Sequence, residues 1–324
     1  MLPFDCLNHV ANYCKDHQSM LSLFSTNSFY YEFRKKVRWN KEPVYVGDRA
    51  LNLPFYDNIE YIYLSKLSCV YSPKHLRKIT YFPNDYKKYK ITPFDVEGFA
   101  SNKFESEIKV EIQGGYYINV TNELFQHSAV TKVKIEGMLY GGLKWPKQLH
   151  TLSIRGGHGW IIANRHLPTH VKKLKFKECA EFVNPDALLD LHCLEHLELH
   201  YKSKKSELED DIIPKNVKTL VLSNVLLYND CMPEGIEKII HKGYVRVDCL
   251  VGSFFPNSTT YLYLEKGCRH KILYKYEFFF PPNLEYLYIG DTEPEDIDFS
   301  NLPKTLKEMH LTHNDKTYHY NFPL

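Results

Sequence analysis

The sequence predicts an α+β chain: a three-helix module over residues 1–42, then a solenoid over residues 43–324 that builds a curved parallel β-sheet. Two observations predict it. A phrase, Pro-x-x-Φ-x-x-Φ-x-Φ with Φ apolar, recurs along the C-terminal half, and residues 1–42 carry helical rather than repeat spacing. Clear copies are Pro146…Leu149…Leu152-x-Ile154, Pro168…Val171…Leu174-x-Phe176, Pro214…Val217…Leu220-x-Leu222, Pro281…Leu284…Leu287-x-Ile289 and Pro303…Leu306…Met309-x-Leu311. Leu191…Leu194…Leu197-x-Leu199 is the same phrase with Leu for Pro. Copies open at 146, 168, 191, 214, 233, 256, 281 and 303, in steps of 22, 23, 23, 19, 23, 25 and 22 residues. A period of roughly 20–29 residues marks an array in which each turn adds one short strand and buries its apolar side against its neighbours.

In the N-terminal module, Leu7, Val10, Ala11 and Cys14 fall at i, i+3, i+4 and i+7, an amphipathic helix with Asp5 placed to cap it. The stretch from Ser19 to Phe24 reads as a second short helix, and Asn27 can cap a third with Tyr30, Phe33 and Val37 on one face. Three short helices cannot sustain a large core alone, so the module packs on the solenoid or binds a partner.

The solenoid is predicted to have about twelve turns, with first apolar positions near 59, 76, 107, 130, 149, 171, 194, 217, 236, 259, 284 and 306. The long step from 76 to 107 holds an inserted outer loop around residues 82–90. In Φ-x-Φ the side chains alternate, so both Φ residues point inward and their neighbours outward. Proline opens the phrase because it fixes φ and lacks an N–H, turning the chain just before the strand. Cys179 and Asn314 stand three residues after the last Φ, which resembles leucine-rich repeats, where a side chain at that position bonds backbone groups of the turn; most copies here lack it.

With 41 basic and 39 acidic side chains, the formal charge of +2 gives no general attraction to nucleic acid or anionic membrane. No apolar run reaches the ~20 residues that span a bilayer, and the first residues lack the pattern of a secretory signal. Eight cysteines without a C-x-x-C pair then suit a reducing compartment, and the expected location is cytoplasmic, the host cytoplasm if the source is viral. No G-x-G-x-x-G, P-loop or G-x-S-x-G motif is present; no catalytic site and no cofactor are expected. His192-x-x-Glu195-His196 matches a zinc-protease motif that needs a helix, yet it overlaps a repeat phrase that calls for a turn and strand. Extended residues four apart lie ~13 Å from each other and cannot share a metal, so no metal site is assigned.

Strand alternation also names the outward residues. Arg155, Lys173, Lys175 and Lys177 form a basic patch suited to carboxylates or phosphates of a target, or else an ordinary solvated face. Tyr261, Tyr263, Tyr286 and Tyr288 project from two adjacent copies, as Tyr61 and Tyr63 do from the first. Clustered tyrosine suits a protein-binding surface, or cross-strand aromatic packing.

Two resemblances follow from these residues. Leu2-Pro3-x-Asp5-x-Leu7-x-x-Val10-x-x-Tyr13, then residues 20–29 with Leu21 and Leu23, resembles an F-box over the first forty residues. The repeats are leucine-rich-repeat-like and resemble the FNIP family of slime moulds and large amoebal viruses, whose phrase is Leu-Pro-x-x-Leu-x-x-Leu-x-Leu and later Phe-Asn-x-Pro-Leu. Its second half survives as Tyr320-Asn321-Phe322-Pro323-Leu324 and in part as Phe182-x-Asn184-Pro185. The F-box resemblance implies docking on a Skp1-like adaptor of a cullin ubiquitin ligase, with Leu2, Pro3, Leu7, Val10, Leu21 and Leu23 at the contact. Alternatively those residues form the module's own core.

The resulting expectation is a non-catalytic substrate-recognition adaptor of an SCF-like ligase. Its repeats would bind an unknown target protein through Arg155, Lys173, Lys175, Lys177 and the four C-terminal tyrosines. The alternative is a protein-binding repeat scaffold without a ligase link, its N-terminal helices acting only as a cap. Neither version involves a membrane or calls for nucleic acid.

Overall fold

Each clear copy of the phrase folds into a proline-led turn followed by a short strand. The turn closes when the N–H of the first Φ donates to the carbonyl three residues back. Leu149 donates to Pro146, Val171 to Pro168, Leu194 to Leu191, Val217 to Pro214, Thr259 to Pro256, Leu284 to Pro281 and Leu306 to Pro303, all at 3.0–3.2 Å. Proline suits the opening position because its ring presets the turn dihedral. Pro146, Pro168, Pro214, Pro256 and Pro281 are buried, so the ring also fills space.

The computed structural model describes residues 19, 44–45, 59–64, 78–81, 108–113, 130–136, 145–156, 167–179, 186–201, 206–207, 212–226, 232–244, 255–266 and 280–323. They fall in two compact units, 1–149 and 150–324. In the first unit β1 (Val44–Tyr45), β2 (Tyr61–Leu64), β3 (Lys78–Tyr81), β4 (Ile108–Gln113) and β5 (Val130–Glu136) pair in chain order, all parallel. Their register sets Ile62 beside Ile79, Ile79 beside Val110 and Val110 beside Val133. The region near residue 107, where the phrase is most diverged, therefore contributes a strand in step with its neighbours.

The second unit contains β6 (Thr151–Arg155), β7 (Lys173–Cys179), β8 (His196–Tyr201), β9 (Ser206–Glu207), β10 (Thr219–Ser223), β11 (Val225–Leu226) and β12 (Lys238–Tyr244). β13 (Tyr261–Lys266), β14 (Tyr286–Gly290), β15 (Glu308–His313) and β16 (Lys316–Asn321) follow. β6, β7, β8, β10, β12, β13, β14 and β15 are parallel neighbours in that order, and β16 turns back antiparallel on β15. β9 and β11 pair separately as a small parallel ladder.

The three Φ positions of each copy make the core. Val171, Leu174 and Phe176 are buried, as are Leu194, Leu197 and Leu199; Val217, Leu220 and Leu222; Leu284, Leu287 and Ile289; and Leu306, Met309 and Leu311. Two positions break the apolar rule and are still buried. Thr259 donates its hydroxyl to the Ile236 carbonyl at 3.2 Å, and His241 Nε2 lies 3.0 Å from the Val225 carbonyl oxygen.

A second ladder stitches the strand entries together. The carbonyl one residue past the first Φ accepts two N–H groups from the next coil. Lys172 and Lys173 donate to His150, Glu195 and His196 to Lys172, Lys218 and Thr219 to Glu195, and the series continues through Glu237, Thr260 and Glu285 to Lys307 and Glu308. From Lys172 to Glu237 the side chains of this column alternate in sign, with Lys172–Glu195 at 3.6 Å and Lys218–Glu237 at 3.7 Å, and beyond the neutral Thr260 Lys307 pairs with Glu285 at 2.8 Å. The Lys172 and Lys218 pairs are exposed and each contributes only ~0–1 kcal/mol. Side-chain amides add further links: Asn283 donates to the Asn257 carbonyl at 2.9 Å, and Asn216 donates to the His192 carbonyl.

Strand exits follow a rule that differs from expectation. Glu178, Asn224, Gly243 and Asp291, each two residues after the last Φ, have positive φ. At Asn224 and Asp291 the chain leaves its strand, and at Glu178 and Gly243 the strand bulges before its last paired residue, in a left-handed conformation that Asn, Asp and Gly adopt most easily. Asn224 also donates its side-chain amide to the Tyr201 carbonyl at 3.0 Å. Asn314 instead forms, with Asp315, the two positive-φ residues of the β15–β16 hairpin.

The α+β expectation is corrected: the described residues form a nearly all-parallel β-solenoid. Their helical content, besides the single position Ser19, is one turn, α1 (Asp186–Leu189), and two 3₁₀ turns, Pro294–Asp296 and Phe299–Asn301. The physical reason is the phrase itself: the described residues come almost wholly from its proline-led turns and Φ-x-Φ strands, whose period-2 spacing builds sheet. The expected three-helix module otherwise lies outside the described residues, together with Leu2, Pro3, Leu7, Val10, Leu21 and Leu23. Among the described residues no helix is long and apolar enough to cross a membrane.

Candidate functional site

The outward face of the second unit's sheet presents three rows of side chains, because parallel pairing sets equivalent positions side by side. The central row runs Ser153, Lys175, Glu198, Val221, Ile240, Tyr263, Tyr288, His310. The row at the strand entries runs Thr151, Lys173, His196, Thr219, Lys238, Tyr261, Tyr286, Glu308. Toward the exits stand Arg155, Lys177, His200, Ser223 and Lys242.

The predicted basic residues come together here, and a carboxylate that the basic-patch reading passed over sits among them. Glu198 Oε1 lies 2.5 Å from Lys175 Nζ, 2.7 Å from His196 Nε2 and 4.0 Å from Lys173 Nζ, while its Oε2 lies 3.7 Å from His200 Nε2. The Glu198 side chain is only 11% exposed. Burial alone would raise its pKa, but hydrogen bonds from His196, His200 and Lys175 and the Lys175 charge outweigh it. They hold the carboxyl far below the usual carboxylate range. Burial, then the Lys175 charge, push the Lys173 ammonium below its ordinary value, against the pull of Glu198. Arg155 pairs with Glu178 at 2.6 Å, and Glu178 belongs to the strand exit.

The four tyrosines occupy adjacent positions, as their spacing predicts. Tyr263 and Tyr288 stack, with centroids 4.3 Å apart and planes 10° from parallel. Tyr261 and Tyr286 are tilted at 6.3 Å, and Lys238 Nζ sits 4.0 Å above the Tyr261 ring. Burial, then Tyr288 and Glu265, push the Tyr263 phenol above its ordinary pKa. Tyr61 is half-buried in the first unit.

Sequence reasoning missed what joins these two regions. Val221 and Ile240 fill the central row between Glu198 and Tyr263, flanked by Lys238 and Lys242. Val221 is only 6% exposed although it points to the outward side. The signal was available: the alternation that names Lys175 and Tyr263 also names these residues in the copies opening at 214 and 233. His192 and Glu195 are exposed at a turn and His196 lies on β8, so the zinc-like motif is not helical. Among the described residues, no group of three or more His, Cys, Asp or Glu side chains is placed to hold a metal ion.

No protein-family model matches the chain, and no curated protein matches it. The F-box and FNIP resemblances therefore rest on the sequence phrases alone. A solved structure does match: the crystal structure of CroV588, described as a novel circular LRR protein, at a TM-score of 0.51 and 16% identity. The match covers 86% of this chain and 39% of that one, so the chain spans well under half the length of its structural neighbour. At that identity the likeness speaks for the fold, and the chain is a leucine-rich-repeat-like β-solenoid.

Proposed function

We propose that the chain is a protein-binding repeat scaffold whose contact surface is the outward face of β6 to β15. The observation that carries the reading is the central row of half-buried Ile240, Tyr263 and Tyr288, continued by the buried Val221, on the side of the sheet away from the core. Aromatic and aliphatic side chains ringed by charged ones are the composition of a protein contact surface. The reading requires no catalytic group, cofactor or metal. It is tested by affinity capture with the full chain, comparing the natural sequence with Ile240→Glu and Tyr263→Ala. Proteins retained by the natural chain and by Lys304→Glu but lost from both face variants support it; retention by all four contradicts it.

The narrower reading, a substrate adaptor of a cullin-type ligase, is favoured by one observation, the N-terminal Leu2-Pro3…Leu7…Val10 and Leu21…Leu23 phrase. Its test is co-purification with a Skp1-like adaptor. Binding by the full chain that Leu7→Glu and Leu21→Glu abolish supports the ligase link. Absence of adaptor binding removes that link and leaves the scaffold reading standing.

A further inference from the structure

Charge on the outward face is unevenly placed. From β7 to β12 its outward positions carry Lys173, Lys175, Lys238 and Lys242 against the carboxylate of Glu198, while Glu178 is paired with Arg155 and Glu265 on β13 accepts from the Gly243 N–H. The Glu198 carboxylate is already engaged by Lys175, His196 and His200, with Lys173 at the outer limit of an ion pair. Cations therefore exceed anions there, and Lys173 and Lys175 are half-buried. A further carboxylate arriving beside Lys173 gains more than it would in open water, because the local dielectric is lower.

The same face carries its apolar strip alongside the cations. Val221 and Ile240 lie in the central row between Glu198 and Tyr263, with Lys238 and Lys242 to either side of Ile240 on β12, and the Tyr263–Tyr288 stack continues the row. β7 to β14 makes five strand spacings of ~4.8 Å, about 24 Å in all, which an extended segment covers with about seven residues.

We propose that this face takes a short acidic segment of a partner protein, with carboxylates over Lys173 and Lys242 and apolar side chains over Ile240, Tyr263 and Tyr288. The proposal rests on the reading of the chain as a protein-binding scaffold. Charge complementarity selects the partner's acidic character, and the apolar strip supplies the anchor that a purely electrostatic contact lacks. A nucleic acid would use the lysines but has no aliphatic side chain for Ile240.

The test is selection of a displayed library of random 12-residue peptides against the full chain, followed by anisotropy titration of the fluorescein-labelled winners. The expected winners are rich in Asp and Glu and carry Leu, Phe or Trp. Their affinity falls about tenfold in Lys173→Glu and in Lys242→Glu, less than twofold in the distant Lys304→Glu, and it falls with added salt. Lys173 and Lys242 are used rather than Lys175, whose ammonium lies 2.5 Å from Glu198 and holds that carboxylate in place. Neutral peptides that bind and are lost in Tyr263→Ala would overturn the acidic partner while leaving the scaffold reading intact. Failure of any peptide to bind this face would contradict both. Tighter binding of a labelled 20-nucleotide RNA with the same variant pattern would replace the protein partner with a nucleic acid.

Discussion

The rings of Tyr263 and Tyr288 stack 4.3 Å apart across neighbouring strands, 10° from parallel. Both stand on outward positions, paired in register, so one solenoid step places them face to face. Stacked aromatic pairs contribute ~0.5–1.5 kcal/mol beyond the area they bury. A double-mutant cycle with Tyr263→Ala and Tyr288→Ala is expected to show coupling of that size in urea unfolding. Alkaline titration at 295 nm should also show a tyrosine ionising above its ordinary value of 10.0, and Tyr263→Phe should remove that component.

Gly290 marks the closest backbone approach among the described glycines. A Cβ built there would lie 1.9 Å from the Glu265 carbonyl oxygen and 2.8 Å from its carbon, and neither is a movable side-chain end. Gly290→Ala is expected to destabilise the protein by about 2–4 kcal/mol. Gly235→Ala, whose Cβ would meet the Lys215 carbonyl oxygen at 3.5 Å, should cost about 1 kcal/mol through its φ of +105°. Urea midpoints of the two variants measured side by side check the contrast.

Stability should fall with acidification in two stages. Burial holds the folded His241 below its ordinary pKa of 6.5 more strongly than the Val225 carbonyl raises it. Below pH 6.5 the unfolded chain therefore binds a proton that the folded chain refuses, and stability drops until the folded pKa is reached. Glu198 is also depressed, so its contribution is present above its ordinary value of 4.5 and is lost as pH falls below it toward the folded value. Urea midpoints at pH 7.5, 5.5 and 4.0 should decline in that order. His241→Leu should flatten the first step only, and Glu198→Gln should flatten the second.

The core was legible residue by residue, because a three-position phrase repeated near a 23-residue step fixes which side chains turn inward. Leu174, Leu197, Leu220 and Leu287 are buried where the phrase puts them. The strand exits were harder to read, since the left-handed residue is Glu178 in one copy, Asn224 in another and Asp291 in a third. No single letter announces that position. The basic patch was visible as letters, but its neutralisation by Glu198 depends on β8 lying beside β7, a relation across 23 residues. Helical spacing in residues 1–42 led to an α+β class, whereas the described solenoid contains almost no helix.

Removing a central inward residue should cost more than removing any surface ion pair. Leu220 is fully buried between strands β8 and β12, and Leu220→Ala is expected to destabilise by ~2–5 kcal/mol. Lys218→Ala, which deletes the exposed pair with Glu237, should change stability by no more than ~1 kcal/mol. Thermal or urea unfolding of the two variants checks the ranking.

The central claim is that partners bind the outward face of the second unit, and site-specific photo-cross-linking tests it most directly. A benzophenone side chain placed at Ile240, in the middle of the apolar row, is compared with one at the exposed turn residue Lys304 in extract from the cells in which the protein occurs. The account predicts discrete protein adducts at Ile240 and none at Lys304. Equal labelling at both positions, or adducts at Lys304 alone, would contradict it.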